Sequence, residues 1–186
     1  MISQPEHTII ISPIGDFHAP LLRQIGREIK RIFALNTEII PLIQDVEFAL
    51  DSDRDQYHST SILERLEHMA PAHAIKILGL AKVDLFIPIL THVYGEARLG
   101  GKAAIVSTHR LREGLSPLTS PQAFHHRTAK EAIHELGHTF NLRHCKDHAC
   151  IMHYCRTVLD VDRKSDQLCR YCTILLKDEM KRLSGE

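Results

Sequence analysis

The sequence predicts an α/β domain built on a twisted, mainly parallel sheet with covering helices. Three observations lead there. Over the first 90 residues, short apolar runs of strand length alternate with stretches whose apolar residues recur at helical spacing. The chain has 186 residues, enough for one compact core or two small lobes. Near residue 120 the composition shifts from aliphatic to histidine- and cysteine-rich. That shift suggests two subdomains of one fold with a cleft between them. Residues 1–141 would carry the sheet and a histidine-bearing helix, and residues 142–186 the rest.

The elements follow in chain order. "HTIIISPI" reads as a buried strand closed by Gly15. From Pro20 onward, Leu22, Ile25, Ile29, Ile32 and Phe33 trace an amphipathic helix. "TEIIPLI" is a second strand, placed at an edge by Pro41. "DSDRDQY" reads as a polar loop, and Ser61 with Glu64 as a capping box opening a helix through Ile62, Leu63, Leu66 and Met69. "KVDLFIPIL" is nearly all apolar and reads as a central strand. "HVYGEARLGG" is a short strand broken by glycines, and "KAAIVST" a further strand. "HRLREGLSPLTSPQ" is a loop. Ser120 before Pro121 starts a helix reaching to about residue 141. A tail helix from about 165 to about 183 aligns Leu168, Leu175, Leu176 and Leu183.

Charge balances at 23 basic against 23 acidic residues, which argues against a nucleic-acid or anionic-membrane partner. No apolar stretch approaches the ~20 residues that cross a bilayer, and the first residues lack a secretory signal, so a cytoplasmic address is expected. All five cysteines lie at or beyond Cys145. In a reducing compartment such clustering points to metal ahead of disulfides.

Residues 134–138 read "HELGH". On a helix, His134 and His138 face the same way and can grip one ion. Glu135, about 100° round the helix, can touch a water beside that ion without binding the metal. Zinc with an open position needs a third protein ligand, and His144 is the candidate. A straight helix would carry it away, so the chain must turn back through a residue tolerant of positive φ; Asn141 stands there, with Leu142 as its core anchor. Cys145 and Cys150, with Cys169 and Cys172, supply the four sulfurs of a closed tetrahedral zinc site, which would staple the tail helix to the loop carrying His144. Cys155 reads as a buried thiol, and His148 and His153 as surface residues.

"HELGHTFNLRH" resembles the elongated HExxHxxGxxH motif of the metzincin metallopeptidases. The continuation "CKDHACIM" followed by "CRYC" resembles the archaemetzincin family in particular; Asn141 stands where that family has glycine. The resemblance implies a metzincin-like domain with one antiparallel edge strand, a catalytic zinc on His134, His138 and His144, and a second, non-catalytic zinc on the four cysteines. It also implies a methionine turn at Met152 beneath the histidines, and places Tyr154 to donate to a developing oxyanion. The expected reaction is peptide-bond hydrolysis with Glu135 as general base. The expected partner is a peptide lying along the edge "VYGEARLGG", at Gly95, Glu96, Ala97 and Arg98, where Glu96 or Arg98 would meet a peptide terminus. No pro-segment is read, so a narrow cleft with an aminopeptidase-like preference for short peptides is expected, in a monomer. The rival expectation is a zinc-dependent binding module with little or no turnover.

Overall fold

A computed structural model describes residues 8–116 and 121–185. Strand β1 (Thr8–Pro13) leads into helix α1 (Ala19–Phe33), whose buried stripe is Leu21, Leu22, Ile25, Ile29 and Phe33. Then come β2 (Asn36–Ile39), a hairpin of β3 (Leu50–Asp51) and β4 (Gln56–His58), helix α2 (Ser59–His68), β5 (Ala74–Ala81), β6 (Leu85–Phe86), β7 (Gly95–Ala97) and β8 (Ala103–Ser107). Three helices follow: α3 (Pro121–Thr139), α4 (Val158–Arg163) and α5 (Arg170–Ser184).

The main sheet has the order β2-β1-β5-β8-β7. Every neighbour pair is parallel except β7 with β8, so the one antiparallel strand lies at an edge. Strands β3, β4 and β6 make a second, three-stranded sheet. Apolar side chains fill both faces of the main sheet. Ile9, Ile11, Leu78 and Leu80 meet α1, α3 and the segment beyond residue 141, while Ile10, Ile77 and Ile105 meet α2. Each such side chain, fully withdrawn from water, stabilises by about 1.5–3 kcal/mol.

Several elements depart from their sequence readings. The central strand is β5, "AIKILGLA", which joins β1 to β8; "KVDLFIPIL" contributes only Leu85–Phe86, to the smaller sheet. Asp84 belongs to that smaller sheet as well: its carbonyl accepts from Tyr57 N of β4 at 2.8 Å, and its carboxylate is held by Arg110 and Gln56. "DSDRDQY" turns between β3 and β4 instead of running as a free loop. Helix α2 starts two residues ahead of Ser61, whose hydroxyl bonds His58 Nδ1 at 2.9 Å and caps nothing. The tail holds two helices, α4 opened by a true capping box of Thr157 with Asp160, and α5 beginning at residue 170. The reading at Ser120 lies outside the described residues.

Helix α3 runs through the core under β7 and β8, and its buried side is partly polar. Arg127 grips Asp162 with two bonds of 2.7 Å. Lys130 Nζ donates to the carbonyls of Val161, Asp162 and Lys164, satisfying the open end of α4. Those contacts lock α4 against α3 and set Lys164 beneath the histidines.

Candidate metal centre

The site forms where α3 ends. Phe140 N and Asn141 N both still bond back into the helix. Asn141 then takes φ 61°, the left-handed region, and Leu142 N returns to Gly137 O at 3.0 Å. This reversal brings His144 back over the helix. The ring centroids of His134, His138 and His144 lie 4.8–5.3 Å apart. One ring nitrogen from each falls within 4.8 Å of the others.

Two backbone carbonyls orient the first two rings. His134 Nδ1 lies 2.9 Å from Ile151 O, and His138 Nδ1 lies 2.7 Å from Leu142 O. A carbonyl only accepts, so each Nδ1 carries the proton and each Nε2 presents a bare lone pair. The two Nε2 atoms stand 3.2 Å apart. Lone pairs aimed at one another repel unless a cation lies between them. Two nitrogens bound tetrahedrally to one zinc would stand about 3.3 Å apart. Burial also keeps the rings neutral: it pushes His134 well down, His138 down to about 4, and His144 down to a lesser degree, with the Lys164 ammonium adding to each shift. Neutral imidazoles with converging lone pairs fit a metal ion.

Glu135 is buried in the same cleft and packs against Gly95 of β7. Burial, and then the neighbouring Glu131, hold its carboxyl well above the ordinary range. Met152 is fully buried and sits so close to Gly137 that any β-carbon there would collide with its sulfur. It therefore forms a floor under the turn of α3 that carries two of the histidines. Tyr154 is 43% exposed, with its ring 5.0 Å from that of His144.

The sulfurs of Cys145, Cys150, Cys169 and Cys172 all lie within 4.8 Å of one another, and all five cysteines are free thiols. Cys145 Sγ and Cys169 Sγ are 3.7 Å apart, against about 3.8 Å for two thiolates on one tetrahedral zinc. Cys169 is the N-cap residue of α5 and Cys172 lies in its first turn, with Cys169 Sγ accepting from Cys172 N, so both sulfurs gather at the helix start. Four sulfurs this close cannot all ionise without a cation among them. The donor set thus fits a structural zinc. Backbone bonding between Cys145 N and Met152 O, 2.9 Å, links this cluster to the methionine turn.

A cleft of about 520 Å³ opens over the histidines, walled by Tyr94, Tyr154, Cys155 and Arg156. Along its rim runs β7. Ser107 N bonds Tyr94 O, and the register pairs Glu96 with Ile105, so Gly95 and Ala97 turn their own N–H and C=O groups to the unpaired edge. Glu96 lines the cleft, and its carboxylate accepts from the hydroxyls of Ser59 and Thr60. Arg98 is paired with Glu67 at 3.0 Å. His148 and His153 contact each other at 3.0 Å on the exposed side of the sulfur loop.

Sequence reasoning missed Glu131 and Lys164. Their charged ends meet at 2.7 Å, nearly out of water, and Lys164 Nζ lies 3.4 Å from His134 Nδ1. Burial works against the ammonium, but Glu131 beside it more than compensates and holds Lys164 above its ordinary pKa. Glu131 stands one helical turn before Glu135, a spacing that could have flagged it. Nothing local flags Lys164.

The comparisons agree with this geometry. The profile of Peptidase family M54 matches residues 2–178. The archaemetzincin of Methanocaldococcus jannaschii is 36% identical over 173 residues, covering 91% of this chain and 93% of that protein. The archaemetzincin of Methanopyrus kandleri is 43% identical over 136 residues, covering 73% and 74%. The crystal structure of the M. kandleri protein superposes with a TM-score of 0.83 at 31% identity, covering 97% of this chain and 98% of that one. Archaemetzincin from Archaeoglobus fulgidus, complexed with malonate, gives 0.76 at 33% identity over 90% and 99%. A match to a family profile over nearly its whole length, joined to relatives of such coverage, means that this chain belongs to peptidase family M54, the archaemetzincins.

Proposed function

We propose that this zinc-dependent peptidase holds a catalytic zinc on His134, His138 and His144, uses Glu135 as its general base, and keeps a second, structural zinc among Cys145, Cys150, Cys169 and Cys172. The observation that carries the reading is the pair of Nε2 atoms facing each other at 3.2 Å, each ring held at Nδ1 by a backbone carbonyl, beside a buried glutamate in one cleft. Zinc held there supplies an electrophile that polarises the scissile carbonyl and acidifies water. Glu135 takes the proton from the attacking water and returns it to the leaving amine; its place in the cleft beside the histidines suits that exchange. Gly95 allows the edge strand to press on Glu135 and so fixes where that carboxylate points. Met152 holds the histidine-bearing turn from below, and the Tyr154 hydroxyl donates to the developing oxyanion.

The substrate is a peptide bound as an added strand on the open backbone groups of Gly95 and Ala97. Glu96 supports an aminopeptidase-like preference, because it lines the cleft and its carboxylate, fixed by the Ser59 and Thr60 hydroxyls, has no basic side chain among the described residues bonded to it that would compete with a peptide α-amine. Arg98, already paired with Glu67, is left as part of the edge and not as a terminus binder. Residues 1–141 and 142–186 act as the two subdomains beside the cleft. A cytoplasmic monomer is the working assignment; among the described residues no helix is long and apolar enough to cross a membrane.

Glu135→Gln separates a peptidase from a zinc-holding binder. The variant should keep the zinc content of the wild type and lose about 10²–10⁴ in kcat/KM on a peptide cut by the wild type. Undiminished turnover in the variant would remove Glu135 from the reaction. Failure of metal-replete wild type to cut any peptide in a mixed library would favour the binder.

A further inference from the structure

The turn that delivers His144 passes through Asn141, and the structure places a partner against that side chain. Asn141 sits at φ 61°, where an asparagine is strained relative to glycine. Its side-chain Nδ2 donates to Glu179 Oε1 of α5 at 2.9 Å. The carboxylate of Glu179 is itself fixed. Arg182 donates to both of its oxygens, and that pairing, opposed by burial and helped by Asn141, keeps it ionised. Only 10% of the Glu179 side chain is exposed. Gly100 closes the other side: it bonds His138 O at 2.9 Å, and a β-carbon on it would collide with the Asn141 amide.

Glu179 follows Cys172 by two helical turns, so both project from one face of α5. That face lies along residues 141–145. One end is joined through the sulfurs of Cys145, Cys169 and Cys172, and the other through Asn141. His144 lies between the two attachments. The same turn carries Leu142 O, which orients His138. Two of the three imidazoles therefore ride on it.

We infer that Asn141 and Glu179 form a tether that positions His138 and His144 for metal, with the asparagine accepting local backbone strain in exchange for a fixed hold on α5. The inference rests on the reading of the three histidines as a metal site. Both residues are positioning residues and neither touches the reacting atoms.

Cobalt(II) substitution tests it, because d–d bands from a histidine site and thiolate charge-transfer bands from the sulfur site are read separately. Asn141→Gly relieves the strained backbone but removes the tether, and Glu179→Ala removes it from the other side. Each should weaken cobalt at the histidine site about fivefold while leaving the thiolate bands and the thermal midpoint near those of the wild type. The double variant should be no weaker than either single one. Glu179→Gln keeps the accepting oxygen and should restore most of the affinity. A merely structural contact would shift the midpoint and leave the histidine-site affinity alone. Wild-type affinity in Asn141→Gly and Glu179→Ala, or additive losses in the double variant, would overturn the tether. Should His144→Ala leave the histidine-site bands intact, the metal-site reading itself falls, and that outcome is distinct from a failed tether.

Discussion

Gly95→Ala probes the contact between the edge strand and the proposed base. A β-carbon at this position would lie 2.6 Å from Glu135 Cγ, 2.6 Å from Ile105 O and 2.9 Å from Glu135 Cδ. Ordinary contact begins near 3.4 Å, so the added methyl is about 0.8 Å too close on two sides. Ile105 O belongs to the backbone of β8 and cannot yield, so the displacement passes to Glu135 or to β7 itself. A shift approaching 1 Å at a catalytic group costs on the order of 10²-fold in rate. Overpacking at a buried contact adds about 1–3 kcal/mol of destabilisation. The histidines lie on other residues of α3 and on the turn beyond it, so metal content should stay as in the wild type. The assay is kcat/KM on a fluorogenic peptide, alongside elemental analysis and chemical denaturation. A variant with wild-type kcat/KM and wild-type stability would refute the idea that β7 sets the position of Glu135.

Three other outcomes are expected. Changing Cys169 and Cys172 together to serine should remove one metal equivalent by elemental analysis and lower stability by at least about 2 kcal/mol; full metal content in that variant would show that the sulfurs hold none. Lys164→Met leaves Glu131 buried without its cation and should cost about 3–5 kcal/mol in denaturant titration, most of it recovered by adding Glu131→Gln; a loss below ~1 kcal/mol would mean the pair is not isolated from water. Lys76, whose ammonium donates to Thr139 O and Gly101 O, is pushed by burial down to about 8. Between pH 8 and pH 10.5 the unfolded chain keeps a proton there that the folded chain has released, so this group's contribution to stability rises with pH across that window. The melting temperature of the wild type minus that of Lys76→Met should rise from pH 8 to pH 10.5; a constant difference would show that Lys76 does not titrate in the folded protein.

The convergence of the three histidines is legible because its information is local. One helical turn separates His134 from His138, and the need for a reversal before His144 follows from helix geometry. The cysteine set was legible from ligand number and clustering. What escaped the sequence depends on partners far along the chain. Strand β5 is hidden by Lys76, a charge in an almost wholly buried strand, whose two carbonyl partners lie 25 and 63 residues away. Glu131 and Lys164 look like surface charges until α4 folds onto α3. Arg98 is engaged by Glu67 of α2, a contact no spacing rule announces. The apolar run "KVDLFIPIL" misled because hydrophobicity alone does not tell a central strand from a bridge to a smaller sheet.

The acceptors that aim His134 and His138 are the main-chain oxygens of Ile151 and Leu142. Every amino acid carries such an oxygen, so no single replacement at those two positions can delete it. The aim of the imidazoles is therefore written in the path of the polypeptide and not in the identity of neighbouring side chains. Such a centre can tolerate drift in the residues around it for as long as the loops keep their course, and it should fail abruptly, not gradually, when an insertion or deletion bends them.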